Sequence, residues 1–152
     1  MDRYFDIALN LASDRFSGER DKVIADALTR NVNYFNIVCS SLNELDLVKN
    51  LNDRYRQNSC FTLGVHPHNA NELNGNTLKS LKDSIKIHQP SAVGETGLDF
   101  FRNLSSYENQ INAFEQQIII SIENNLPLFL HQREAHDDFI KVIDRYISDI
   151  PR

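Results

Sequence analysis

The sequence predicts an α/β fold in which five short parallel strands alternate with five helices. Short apolar runs recur between longer segments of helical period. The runs are nearly continuous rather than alternating, as expected of strands covered on both faces. Polar residues able to do chemistry follow several of these runs directly, at His66, Glu95 and His131. Such alternation implies right-handed crossovers and a parallel sheet. Two architectures satisfy it, an open doubly wound sheet and part of a (β/α)8 barrel. No G-x-G-x-x-G follows the first strand and no G-x-x-x-x-G-K-[ST] occurs, which disfavours nucleotide-cradling sheets.

The first strand covers Tyr4 to Leu11, and a loop over Ser13 to Gly18 leads to a helix from Glu19 to Arg30. Val23, Ile24, Ala27 and Leu28 form its apolar stripe. Tyr34 to Cys39 is the second strand. Ser41 and Glu44 then have the spacing of a capping box, before a helix with Leu45, Val48, Leu51 and Tyr55 inward. The third strand, Phe61 to Val65, runs straight into His66-Pro67-His68. A helix over Thr77 to His88 buries Leu78, Leu81 and Ile85 and is stopped by Pro90. The fourth strand, from Ser91, is expected to stop at Gly94, where Gly94 and Gly97 let the chain turn or approach a ligand closely. Ser105 and Glu108 form a second expected capping box, ahead of a helix with Ile111, Phe114, Ile118 and Ile122 along one face. Leu128 to Leu130 is the fifth strand. A last helix, Ala135 to Ile147, buries Phe139, Val142, Ile143 and Tyr146.

The 152 residues are 41% hydrophobic and 24% charged, which suits one globular domain spanning residues 1–152. A net charge of −5 excludes a broad basic surface, so any nucleic-acid contact is local. Cys39 and Cys60 lack CxxC spacing and read as reduced core residues of a cytoplasmic protein. No apolar stretch approaches the roughly 20 residues that span a bilayer, and Met1-Asp2-Arg3-Tyr4 begins no signal peptide.

In a parallel sheet all strand C-termini lie on one side, where sites are built. Asn10, His66, His68, Glu95, His131 and Arg133 all fall at such ends. Imidazoles and a carboxylate together make a divalent metal site. Each residue also has a plainer role available. His66 and His68 suit a loop, His131 a core, and Arg133 a surface or a pairing with Asp99. Asp99 and Arg102 suit an exposed ion pair, and His88 and His136 read as solvated helix residues. The same topological position on three successive strands favours the site.

Gly64-Val65-His66-Pro67-His68, Val93-Gly94-Glu95-Thr96-Gly97-Leu98-Asp99-Phe100 and Leu130-His131-Gln132-Arg133-Glu134-Ala135-His136 together resemble the TatD family of metal-dependent deoxyribonucleases. Phe5 to Leu11 resembles the family's N-terminal strand, so the likeness covers the whole chain. The resemblance implies a TIM-like (β/α)8 barrel, a binuclear divalent-metal site and DNA as substrate. It implies Glu95 as the metal-bridging catalytic residue and His131 as a metal ligand. His66, His68 and Arg133 fall to substrate phosphate or supporting roles. Mg2+ is the foremost metal, with Mn2+ and Zn2+ as alternatives; the metals activate water and stabilise charge on the phosphate.

Two departures from the family pattern matter. Many members carry His-x-His on the first strand, where this chain has Ala8 and Asn10. A further histidine and an aspartate on later strands would lie beyond Arg152, and a complete barrel takes about 250 residues. The expectation is therefore a partial barrel with its C-terminal units missing. Its exposed edges would recruit a second copy or a complementing fragment. Against the DNase reading stand a non-catalytic remnant with at most partial metal binding, and a metallohydrolase of small phosphoesters or cyclic amides.

Overall fold

The computed structural model describes residues 3–151; the expectations resting on Met1-Asp2 and on Arg152 lie outside them. The strands are β1 (Tyr4–Leu9), β2 (Val32–Cys39), β3 (Ser59–Leu63), β4 (Ala92–Asp99) and β5 (Leu128–Arg133). They alternate with helices α1 (Arg20–Thr29), α2 (Leu45–Arg54), α3 (Gly75–His88), α4 (Tyr107–Asn124) and α5 (His136–Asp144). All four strand pairings are parallel and the spatial order is β1-β2-β3-β4-β5. Sequential order without reversal is the barrel solution, so the sheet is a half-barrel rather than a doubly wound sheet.

Strand alternation sorts side chains between two faces. Phe35, Ile37, Cys39, Phe61, Leu63 and Val93 pack with Leu45, Val48, Leu51, Leu81 and Ile85 of the helices into the main core. A second cluster, Leu98, Phe114, Ile118, Ala135 and Val142, joins β4 to α4 and α5. Asn36 and Thr62, buried and polar, alternate with the core residues of β2 and β3. Cys39 is buried and Cys60 half-buried, and both thiols are free. No described helix is long and apolar enough to cross a membrane.

Several helix starts differ from expectation. Ser41 makes no side-chain cap; a 3-10 turn over Leu42–Glu44 intervenes, and Glu44 accepts instead from Ser40 N at 2.9 Å. Helix α3 begins at Gly75, because the Asn74 side chain accepts from Asn76 N and Thr77 N. Ser106, not Ser105, caps α4 through Asn109 N. Ser105 is drawn away to join the loop before α3, accepting from Asn71 N at 3.1 Å and donating to His68 O at 2.9 Å.

The largest correction concerns β4. It does not stop at Gly94 but runs on to Asp99, with an irregularity in its pairing to β5 between Gly94 and Thr96. Gly94 (φ 146°) and Gly97 (φ 144°) are required by close approach, not by a turn. A Cβ on Gly97 would lie 1.9 Å from the carbonyl oxygen of His131, and one on Gly94 2.1 Å from that of Phe129. The Gly94-Glu95 peptide is cis.

Candidate metal centre

Three elements deliver the site. The chain leaving β3 carries His66 and His68, β4 carries Glu95 and Asp99, and β5 carries His131. The β4–β5 register sets Gly97 beside His131 and Asp99 beside Arg133. Glycine at 97 is what lets β5 come close enough for His131 to lie between the two carboxylates.

His131 is that group's centre. Its Nδ1 lies 2.9 Å from Glu95 Oε1 and its Nε2 3.2 Å from Asp99 Oδ2. His68 Nε2–H donates to the same Asp99 oxygen at 2.7 Å. The main-chain N–H of Arg102 donates to Asp99 Oδ1 at 2.8 Å. Asp99 is 1% exposed, so it is a buried hub and not half of an exposed ion pair with Arg102. The ring centroids of His66 lie 4.2 Å from His68 and 4.5 Å from His131.

Charge follows this geometry. Burial pushes the Asp99 carboxyl up, but the bonds from Arg102 N, His68 and His131 outweigh it and hold the group at about 2. Burial likewise raises Glu95, and the His131 bond with the nearby imidazoles brings it below the ordinary carboxylate range. The Glu95 bond raises His131 against its own desolvation. Desolvation, reinforced by the charges of His68 and His131, lowers His66 to about 4. At neutral pH His66 is therefore neutral while both carboxylates are ionised.

His66, Glu95 and His131 each offer a ligand atom within 4.8 Å of the others, a group able to hold a metal ion. Glu95 and His131 are the better pair. His131 has Asp99 on its far nitrogen, the arrangement that orients a ligating imidazole. His66 Nδ1 accepts the His68 N–H at 3.1 Å, so its neutral ring presents Nε2–H to the site. That tautomer donates a hydrogen bond and does not ligate through Nε2. A divalent ion taken by His131 must displace a ring proton that the raised pKa retains above the usual value of 6.5. Ion binding is therefore expected to release a proton near neutral pH and to weaken as pH falls. Calorimetry in two buffers of different ionisation enthalpy measures the release, and His131→Gln should abolish it.

Asn10, Ser40, Glu44, His66, His68, Asn69 and Glu95 line a cleft of about 260 Å³ beside the cluster. Of the sequence-based candidates, the structure brings His66, His68, Glu95 and His131 together. Asn10 shares the cleft, whereas Arg133 does not line it and lies with its guanidinium 3.8 Å from the Phe101 ring centroid. His136 is exposed, and His88 is half-buried at the end of α3. Sequence reasoning missed Asp99 as a site residue and Glu44 as a cleft residue.

It also missed what holds the strand ends. The β3–β4 ladder lapses after Leu63↔Val93. Beyond it Gln117 of α4 replaces a strand partner for Val65: Oε1 accepts from Val65 N at 2.7 Å and Nε2 donates to Val65 O at 3.0 Å. Gln110 grips Asp99 likewise, accepting from its N at 2.8 Å and donating to its O at 3.3 Å. Both glutamines are 0% exposed. A legible signal existed: each lies among the apolar residues of α4, where a polar side chain needs a buried partner. Gln117→Leu strands the N–H and C=O of Val65, so it should cost about 2–6 kcal/mol at one to three per buried group, measured by denaturant unfolding.

The pattern of the family described as TatD related DNase matches residues 5–150. A relative named 3'-5' ssDNA/RNA exonuclease TatD, from Pantoea ananatis, is 36% identical over 147 residues, 97% of this chain and 56% of that protein. The protein of the same name from Escherichia coli K12 is also 36% identical, over 148 residues with the same coverage. This chain thus spans about half the length of these relatives. Among solved structures, a protein from Saccharomyces cerevisiae described as an amidohydrolase superposes with a TM-score of 0.87 at 28% identity, covering 96% of this chain and 52% of that one. A TatD homolog from Escherichia coli gives 0.87 at 25% identity, over 95% of this chain and 56% of that one.

Proposed function

Because the chain belongs to the TatD related DNase family, we propose that it hydrolyses phosphodiester bonds of DNA or RNA using a divalent ion held by Glu95 and His131. The observation that carries this reading is His131 held between two ionised carboxylates at the strand-end rim. The two relatives described above, each named a single-stranded DNA and RNA exonuclease, supply the substrate class. When bound, the ion supplies Lewis-acid polarisation of a phosphate oxygen and a lowered pKa for the attacking water.

The chain's own residues do the rest. Glu95 is the catalytic residue: ionised, it balances the ion's charge and accepts a proton from water. Asp99 fixes the ring of His131. His68, with Nε2 committed to Asp99, acts as a positioning residue more than as a phosphate ligand. His66 presents an uncharged Nε2–H to a phosphate oxygen, and Arg133 presents its in-plane N–H edge. The imidazole in the Glu95–His131 pair favours Zn2+ over the foremost expectation, Mg2+.

One continuous sheet supports reading residues 1–152 as a single partial domain, and the free thiols support a cytoplasmic location. Strands β1 and β5 each pair on one side only among the described residues, and Tyr4, Phe5, Ile7 and Leu130 are exposed there. These edges take further strands from a second copy or a complementing fragment. Light scattering after size exclusion tests this, and a stable monomer at low micromolar concentration counts against it.

The function test is hydrolysis of single-stranded, nicked and duplex DNA, RNA and a chromogenic phosphodiester, with each metal and with EDTA. Metal-dependent cutting of the strands supports the reading. Hydrolysis confined to the small ester would favour the metallohydrolase of small substrates. Ion binding without any hydrolysis would leave the non-catalytic chain.

A further inference from the structure

Just past Asp99, at the end of β4, stands an exposed aromatic ring. Phe101 is 52% exposed, although its neighbour Phe100 packs inward against the second core cluster. A singly exposed apolar side chain is ordinary; what sets Phe101 apart is the guanidinium that covers its ring.

The placement is firmly held. The turn after β4 is tied by Arg102 N to Asp99 Oδ1 at 2.8 Å and by Asn103 N to Asp99 O at 3.3 Å. Phe100 N donates to Arg133 O at 3.0 Å, anchoring the turn to the end of β5. The Arg133 guanidinium then lies over the Phe101 ring, 3.8 Å from its centroid. Asp99, beside Arg133 in the strand register, is engaged by His68 and His131 instead. Phe101 thus stands two residues beyond Asp99, and Arg133 two beyond His131.

Resting on the nuclease reading above, we propose that Phe101 and Arg133 form a stacking platform that receives one unpaired base next to the scissile phosphate. Aromatic rings and guanidinium planes both stack bases without regard to sequence. A guanidinium engaged through its face keeps its N–H edge available to a phosphate oxygen. One exposed pair can therefore hold both halves of a nucleotide. A base within a duplex is already stacked and paired, so the platform selects single strands. It also supplies a local cationic contact on a chain whose net charge is −5.

The test is binding of labelled oligothymidylate, measured by anisotropy in EDTA so that no strand is cut. The same strand with abasic sites and a blunt duplex serve as comparison probes. Phe101→Ala is expected to weaken oligothymidylate binding about tenfold, within the range found for single base–aromatic stacks, and to leave abasic binding unchanged. Phe101→Tyr, which keeps a ring, should restore wild-type binding; Phe101→Leu should not. Equal losses on the normal and abasic strands, or no loss at all, overturn the platform while leaving the nuclease reading intact. Failure of the wild-type chain to bind any single strand in EDTA likewise overturns the platform, while the nuclease reading stands or falls on the metal-dependent hydrolysis assay.

Discussion

Glu95→Gln is expected to lower metal-dependent strand hydrolysis about a thousandfold while leaving the circular dichroism spectrum unchanged. The amide keeps the shape of the carboxylate but loses its charge and its capacity to accept a proton. Positioned bases and preorganised charges act on this scale, roughly 10²–10⁴. Glu95 is only partly buried, and its one strong partner is His131 at 2.9 Å, a contact that an amide oxygen also makes. The fold should therefore survive. Calorimetric titration gives a second readout, because ion affinity should fall together with activity. Activity equal to that of the wild type would remove Glu95 from the mechanism.

Gly97→Ala should be the most damaging single methyl in the chain. The new Cβ would meet the His131 carbonyl oxygen at 1.9 Å, and φ of 144° is poorly accessible to residues with a side chain. Backbone on both sides of the clash leaves no flexible group to yield. A cost of about 4 kcal/mol or more is expected, the range reserved for such conflicts. Gly75→Ala is the control: its Cβ meets nothing within 4 Å, and stability should change by less than about 0.5 kcal/mol. Urea unfolding of the three proteins decides it, and a mild effect at Gly97 would mean that β4 and β5 can separate without harm.

These same glycines mark where the sequence was hardest to read. The convergence of His66, Glu95 and His131 followed from apolar runs and topology, although Glu95 and His131 lie within β4 and β5 and not at their ends. Gly94 and Gly97 were ambiguous, because glycine serves a sharp turn and a close strand approach equally well. Taking them as a turn ended β4 early and left Asp99 outside the sheet, as half of a surface pair. Only the neighbouring strand, where Gly94 meets Phe129 and Gly97 meets His131, reveals the second meaning. The capping of α4 failed for a similar reason. Ser105 and Ser106 are chemically alike, and the choice between them is made by Asn71 and His68 in a distant loop.

Helix α4 carries a constraint of another kind. Gln110 and Gln117 are seven residues apart, two helical turns, which places their grips about 10.5 Å apart along the axis. That separation acts as a ruler between the ends of β3 and β4. Inserting or deleting one residue between them would rotate one glutamine by about 100° relative to the other, so that both could not reach their strands together. Single substitutions on the exposed side of this segment should be tolerated, whereas any change in its length should not.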